Sequence, residues 1–267
     1  MLSVFSRMHF CVLLLISTNT AYSSESLTMV RYPWPPWNIQ LPDNKWSGIA
    51  VDTMQVIALC TQNKLSFIEV ENIERVQREW GKSVSLEAAV SPIWRTEQKK
   101  TSLYSEQLFT TTDIIVAKKG AFKDTRSARD FYGETLGVTV GFYYPEGFSD
   151  AMDTGSIVTS SSNPKTLLPK LLRGRLKAII INEDEFNYLL THSGYDFTYN
   201  INDFEVIYRF GAVPLHVRVH QQFKHLIPSI NSVITELKSV GFLKNIQWKY
   251  LNPERNQTPV SIERCPF

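Results

Sequence analysis

Apolar runs of strand length alternate along this chain with segments whose apolar residues recur every three or four positions, and the alternation breaks once and then restarts. Residues 26–31 alternate apolar and polar side chains, which predicts a strand ended by Pro33. Val51, Met54, Ile57 and Ala58 then share one face of a helix over 49–60, and residues 65–70 return to strand. Strand, helix, strand in that order is a βαβ unit with a parallel pair. The short run 86–90 predicts a buried strand that delivers Ser91, Pro92, Ile93 and Trp94 at its carboxyl end, the edge where open α/β sheets border their ligand crevice. A β-prone run over 113–118 ends in Lys118-Lys119-Gly120, and beyond it the pattern starts again, with strands at 137–140, 157–159 and 178–181 and helices at 146–152, 164–173 and 183–191. Residues 205–214 carry the chain back, and Leu226, Ile230, Val233, Ile234 and Leu237 fall in register within a helical tail over 223–250, broken at Gly241. The expected fold is α/β with two lobes, each an open sheet flanked by helices, joined by a two-strand hinge around a cleft.

The first residues belong to export rather than to this fold. Residues 1–23 carry Arg7, an apolar run over 10–16 and the small-residue exit Ala21-Tyr22-Ser23, the pattern of a cleaved signal peptide. The run is far shorter than the roughly 20 residues that span a bilayer. The expected division is 1–23 signal peptide, 24–117 first lobe, 118–208 second lobe, and 209–267 a return to the first lobe with C-terminal helices. Export to the periplasm brings Cys60 and Cys265 into an oxidising compartment, where they either join or stay free; the sequence leaves both open. Of the 28 Lys and Arg only Arg7 lies in the signal, and 26 Asp and Glu nearly balance the rest, so no nucleic-acid partner is expected. His216 and His220 share helical spacing without an intervening acid, and no metal or other cofactor is expected.

Several landmarks stand in a familiar order. Tyr32-Pro33-Trp34-Pro35-Pro36-Trp37 follows the first strand, and Gly48-Ile49-Ala50-Val51-Asp52 opens the first helix. Thr96-Glu97-Gln98-Lys99-Lys100 precedes Tyr104-Ser105, and Gly137-Val138-Thr139-Val140-Gly141, Leu171-Leu172-Arg173-Gly174-Arg175-Leu176-Lys177-Ala178 and Gly241-Phe242 follow. In that order they resemble the family-3 extracellular solute-binding proteins, with the type II periplasmic-binding fold of amino-acid uptake systems. The resemblance implies a monomeric, non-enzymatic protein that closes around a small polar or zwitterionic ligand for ABC-type uptake or sensing, with an inner-membrane permease or sensor as partner. Its alternatives are a periplasmic enzyme of the same fold, dehydratase-like with Glu183 as acid or base, and an interaction module without a ligand.

The departures from the family pattern bear on the ligand. Where amino-acid binders keep an Arg that grips the carboxylate, this chain has Gln98, with Arg95 one turn earlier. Phe142 replaces a Thr, and Asn182 stands at the position of the Asp that takes the ammonium, with Glu183 and Asp184 beside it. An amide grips a carboxylate less strongly than a guanidinium fork does. From the residues themselves, Tyr32, Trp34 and Trp37 sit in a proline-constrained turn suited to stacking on a ligand, and Trp94 and Arg95 follow the strand into the crevice. The expected ligand-binding set is Tyr32, Trp34, Trp37, Ser91, Trp94, Arg95, Gln98, Phe142, Tyr143, Asn182 and Glu183.

Overall fold

A computed structural model describes residues 25–70, 73–122, 127–139, 141–145, 147–162, 164–192, 199–252 and 263–267. The signal peptide expected over 1–23 lies outside the described residues. Strand β1 (Ser26–Arg31) leads into the proline-rich turn and a small hairpin of β2 (Ile39–Gln40) and β3 (Trp46–Ser47), followed by helix α1 (Ile49–Cys60). Turn and helix are built on each other. The amides of Ile49 and Ala50, which a helix start leaves without intrahelical partners, donate to the carbonyls of Pro36 and Trp37 at 3.0 and 2.9 Å. That close approach requires Gly48, whose φ is +122° and where a β-carbon would stand 2.5 Å from the Trp37 carbonyl oxygen.

The first lobe continues with β4 (Lys64–Glu69), α2 (Ile73–Glu79), β5 (Leu86–Val90), β6 (Ser102–Tyr104) and β7 (Phe109–Thr111). The second holds β8 (Asp113–Lys118), β9 (Thr135–Thr139), α3 (Phe148–Asp153), β10 (Val158–Ser162), α4 (Pro164–Leu172), β11 (Ala178–Asn182), α5 (Glu183–Thr191) and β12 (Phe204–Arg209). The chain returns through β13 (Val213–His220) to α6 (Ile227–Ser239) and α7 (Phe242–Leu251). One sheet has the order β4-β1-β5-β13-β6 with β7 also on β13, the other the order β10-β9-β11-β8-β12. β1 and β4 pair in parallel, with Leu27 opposite Leu65 and Met29 opposite Phe67, as the βαβ reading requires.

The strand pairing moves one expected boundary. Residues 113–117, expected in the first lobe, form most of β8, an inner strand of the second sheet between β11 and β12. Ile115 and Ala117 face one buried cluster, while Ile114 and Val116 face another, so this run needs cover on both sides, and the second sheet supplies it. The first crossing is therefore at Thr112, before the Lys118-Lys119-Gly120 turn. Arg209, expected at the start of the return segment, still pairs with Ile114, and the second crossing spans residues 210–212. The crossings lie side by side, because Val213 pairs with Thr111 just before β8 begins.

The lobes touch. Phe142 packs against the cores of both, Tyr188 of α5 is buried in the first lobe's cluster, and a β-carbon on Gly141 would meet Ile73 at 3.4 Å. Cys60 at the end of α1 and Cys265 form a disulfide with their Cα atoms 5.1 Å apart, which resolves the alternative left open by the sequence. Among the described residues no helix is long and apolar enough to cross a membrane, and no group of three His, Cys, Asp or Glu is placed to hold a metal.

Candidate ligand cleft

The cleft begins with a charge inside an apolar strand. Every residue of β5 is buried, including Glu87 at 1% exposure, and the antiparallel ladder sets Arg218 of β13 opposite it. Arg218 Nη1 donates to Glu87 Oε2 at 3.0 Å, while Arg95 donates through Nε to Oε2 at 3.1 Å and through Nη2 to Oε1 at 2.5 Å. The Tyr32 hydroxyl adds a longer bond at 3.4 Å. Burial raises the Glu87 pKa, but Arg95 and then Arg218 outweigh it and hold the carboxyl below its usual value. Two guanidinium groups share one carboxylate, so this buried triad carries a net positive charge.

Local backbone geometry aims Arg95. Ala89 has φ +55°, and the β5–β13 register shifts between His216 and Arg218, a bulge that turns the strand end before Ser91. A short 3-10 turn over Pro92–Trp94 then swings the chain into the cleft. Arg95 Nη1 donates to the Trp94 carbonyl at 3.0 Å. Three of its five N–H donors make these bonds, and the Tyr32 hydroxyl stands beside the rest of the guanidinium.

A cavity lies against this group, lined by Tyr32, Trp34, Ile73, Trp94 and Arg95 from the first lobe and by Asp113, Phe142 and Tyr143 from the second. Trp34 and Trp94 meet edge to face at 77°, forming an aromatic corner, and Tyr143 stands exposed at the mouth. Six expected residues come together there: Tyr32, Trp34, Trp94, Arg95, Phe142 and Tyr143. Five do not. Trp37 is fully buried behind Trp34, stacked on it at 5.4 Å, because its carbonyl anchors α1 and holds the residue inward. Ser91 is buried at the start of the 3-10 turn. Gln98 accepts from Arg218 Nη2 and donates to the Gln77 carbonyl, so its amide supports the triad from outside the cavity. Asn182 caps α5 and ties Thr111, Thr112 and Asp113 together. Glu183, the candidate acid or base, forms a surface ion pair with Arg209.

Glu87, Arg218, Ile73 and Asp113 were missed. A lone Glu within Leu86-Glu87-Ala88-Ala89-Val90 and a lone Arg within Val217-Arg218-Val219 were the available signals, since a buried charge requires a counter-charge.

Asp113 lines the second-lobe wall and belongs to an acidic patch with Asp184 and Glu185. Burial pushes the Asp113 carboxyl up to about 6 against the Asn182 hydrogen bond, and burial likewise pushes Asp184 up to about 6. Glu185 is raised well above its usual value by burial and by the nearby Asp113 charge. For these groups the neutral form favours the fold. For Asp113 and Asp184 that stabilisation is present at acidic pH and lost as pH rises through about 6, and Glu185 acts in the same direction. The ligand-free protein should therefore gain several degrees in Tm between pH 7.5 and 5, Asp113 and Asp184 each contributing on the order of 1 kcal/mol. At still more acidic pH, protonation of Glu87, whose pKa is depressed, should reverse the gain. A Tm maximum at or above pH 7.5 in scanning calorimetry would contradict this assignment.

The family model of the bacterial extracellular solute-binding proteins, family 3, matches residues 28–253. The chain belongs to this family. It is a solute-binding protein of an extracellular family, with the two-lobed type II architecture. Its structure is similar to that of an ancestral arginine-binding protein bound to arginine, with a TM-score of 0.69 at 18% identity over 85% of this chain and 98% of the other. It is also similar to the amino-acid ABC transporter substrate-binding protein AbpA from Streptococcus pneumoniae bound to L-arginine, with a TM-score of 0.68 at 16% identity over 87% and 97%. A mutant of ArgBP from T. maritima gives a TM-score of 0.67 at 18% identity over 85% and 95%. A search of the curated proteins found no match to the sequence. At these identities the neighbours establish the fold, and the chemistry of the family-3 cleft has to be read from the residues that line it.

Proposed function

We propose that this family-3 protein works in the periplasm, captures a small zwitterionic, amino-acid-like solute between its lobes, and presents the closed form to an inner-membrane ABC permease or sensor without a covalent step. The observation that carries this reading is the cavity itself, walled by both lobes and holding the Arg95 guanidinium beside an aromatic corner. Arg95 is rigid because Glu87 clamps one edge of its guanidinium, and a preorganised fork loses little freedom when it meets a carboxylate. A ligand touching both walls is fully held only when the lobes are together, so occupancy shifts the population towards the closed form. The solved neighbours bound to arginine support an amino-acid-like solute.

The reading is tested with the twenty common amino acids by thermal shift and then calorimetry. Arg95→Lys keeps the charge but loses the fork, and should weaken the best hit by about 1.5–3 kcal/mol, the range for a hydrogen bond to a charged group. Trp34→Ala should cost a similar amount through lost stacking and burial. Gln98→Ala should matter less to binding, because its amide faces Arg218. A ranking led by Gln98, with Arg95→Lys near wild type, would place the carboxylate grip elsewhere.

A further inference from the structure

Among the described residues two charged side chains line the cavity, and they come from opposite lobes: Arg95 and Asp113. Asp113 is the first residue of β8, directly after the crossing, and the ladder sets it opposite Asn182. Asn182 Nδ2 reaches Asp113 Oδ1 at 3.2 Å, but the same nitrogen also serves Thr111 Oγ1 at 2.7 Å and the Thr112 carbonyl at 3.3 Å. The carboxylate thus holds a share of one neutral donor, and no cation pairs with it among the described residues. A part-buried carboxylate on a ligand cavity without a counter-ion is an acceptor for a positive group.

We infer that Asp113 anchors the cationic end of the solute, in place of any acid at Asn182, and that the solute is a zwitterion with a flat, apolar remainder. This rests on the reading of the cleft as the binding site. The remainder follows from the other walls: Tyr32, Trp34, Ile73, Trp94, Phe142 and Tyr143 offer rings and an aliphatic side chain. Because Asp113 begins the second lobe and Arg95 belongs to the first, a solute carrying both charges spans the cleft and holds it closed.

Affinity should depend on pH with a definite sign. The anchor acts when ionised, so binding is complete above its pKa and is lost as pH falls through about 6. The titratable groups around it are Asp184 and Glu185 on α5 and Tyr144 after β9, with Arg95 and Tyr32 on the facing wall. Removing the charge should relieve the ligand-free fold, which keeps the variant usable.

The probes are L-phenylalanine, 3-phenylpropanoate, which lacks the ammonium, and 2-phenylethylamine, which lacks the carboxylate. Calorimetry at pH 7.5 on the whole secreted chain should show L-phenylalanine binding, weakened about 10- to 100-fold by Asp113→Asn, while 3-phenylpropanoate changes less than about threefold. Wild-type affinity for L-phenylalanine should fall about tenfold between pH 7.5 and 5, and the variant should stay flat. Its Tm at pH 7.5 should equal or exceed that of wild type. If Arg95→Lys weakens L-phenylalanine but Asp113→Asn does not, the anchor is wrong while the cleft reading stands. If neither variant matters, the cleft reading itself fails. If none of the three probes binds wild type, the flat apolar class is wrong.

Discussion

Replacing Glu87 by glutamine should destabilise the protein by about 3–5 kcal/mol, the usual cost of removing one partner from a buried ion pair. Two guanidinium groups are left without a counter-ion, one of them fully buried, with an amide in place of the carboxylate that accepted three of their hydrogen bonds. Against a typical total of 5–15 kcal/mol this is a large share. Most of it comes from stranded charge rather than from lost attraction. Glu87→Leu combined with Arg95→Met and Arg218→Met should therefore be more stable than Glu87→Gln alone, although it should no longer bind a carboxylate. Tyr32→Phe, which deletes a single 3.4 Å bond, should cost less than about 1 kcal/mol. Urea unfolding measures all three variants, and a Glu87→Gln midpoint close to wild type would show that the triad is not a buried ionic unit.

The second large effect is expected from the Cys60–Cys265 bridge. It closes a loop with a separation of 205 residues, so on the chain-entropy model it stabilises by about 5 kcal/mol at most, and by 2–4 kcal/mol in typical cases. Cys60→Ser with Cys265→Ser should lower the denaturation midpoint accordingly. The m-value should rise as well, because the unfolded chain, no longer tied end to end, exposes more surface. Two free thiols titrated in denatured, unreduced protein would dispose of the bridge.

Much of the fold was legible because periodicity is local. The helix over 49–60 was visible as a face of Val51, Met54, Ile57 and Ala58, and the β-run at 113–118 as consecutive apolar residues. Its lobe was not visible, since membership depends on which sheet can cover both faces of Ile114, Ile115, Val116 and Ala117. The cleft was half legible for the same reason. Tyr32, Trp34, Trp94 and Arg95 were identified from turn chemistry and from their place at strand ends, and they line the cavity. Trp37 has the same local setting as Trp34 and faces inward.

The sequence by itself determined that this chain builds two α/β units, that aromatic rings and a guanidinium sit at the end of the first lobe's strands, and that two cysteines lie far apart along it. Only the tertiary structure decided that those cysteines meet, that Glu87 pairs with Arg218 across 131 residues of chain, and that Asp113 faces Arg95's cavity. The physical reason is that hydrophobic spacing and turn preference act between neighbours in sequence, whereas a buried charge finds its partner through strand register. A one-residue slip in the β5–β13 ladder would turn Arg218 to the other face of the sheet, and nothing in the residues 213–220 alone fixes which strand lies beside them.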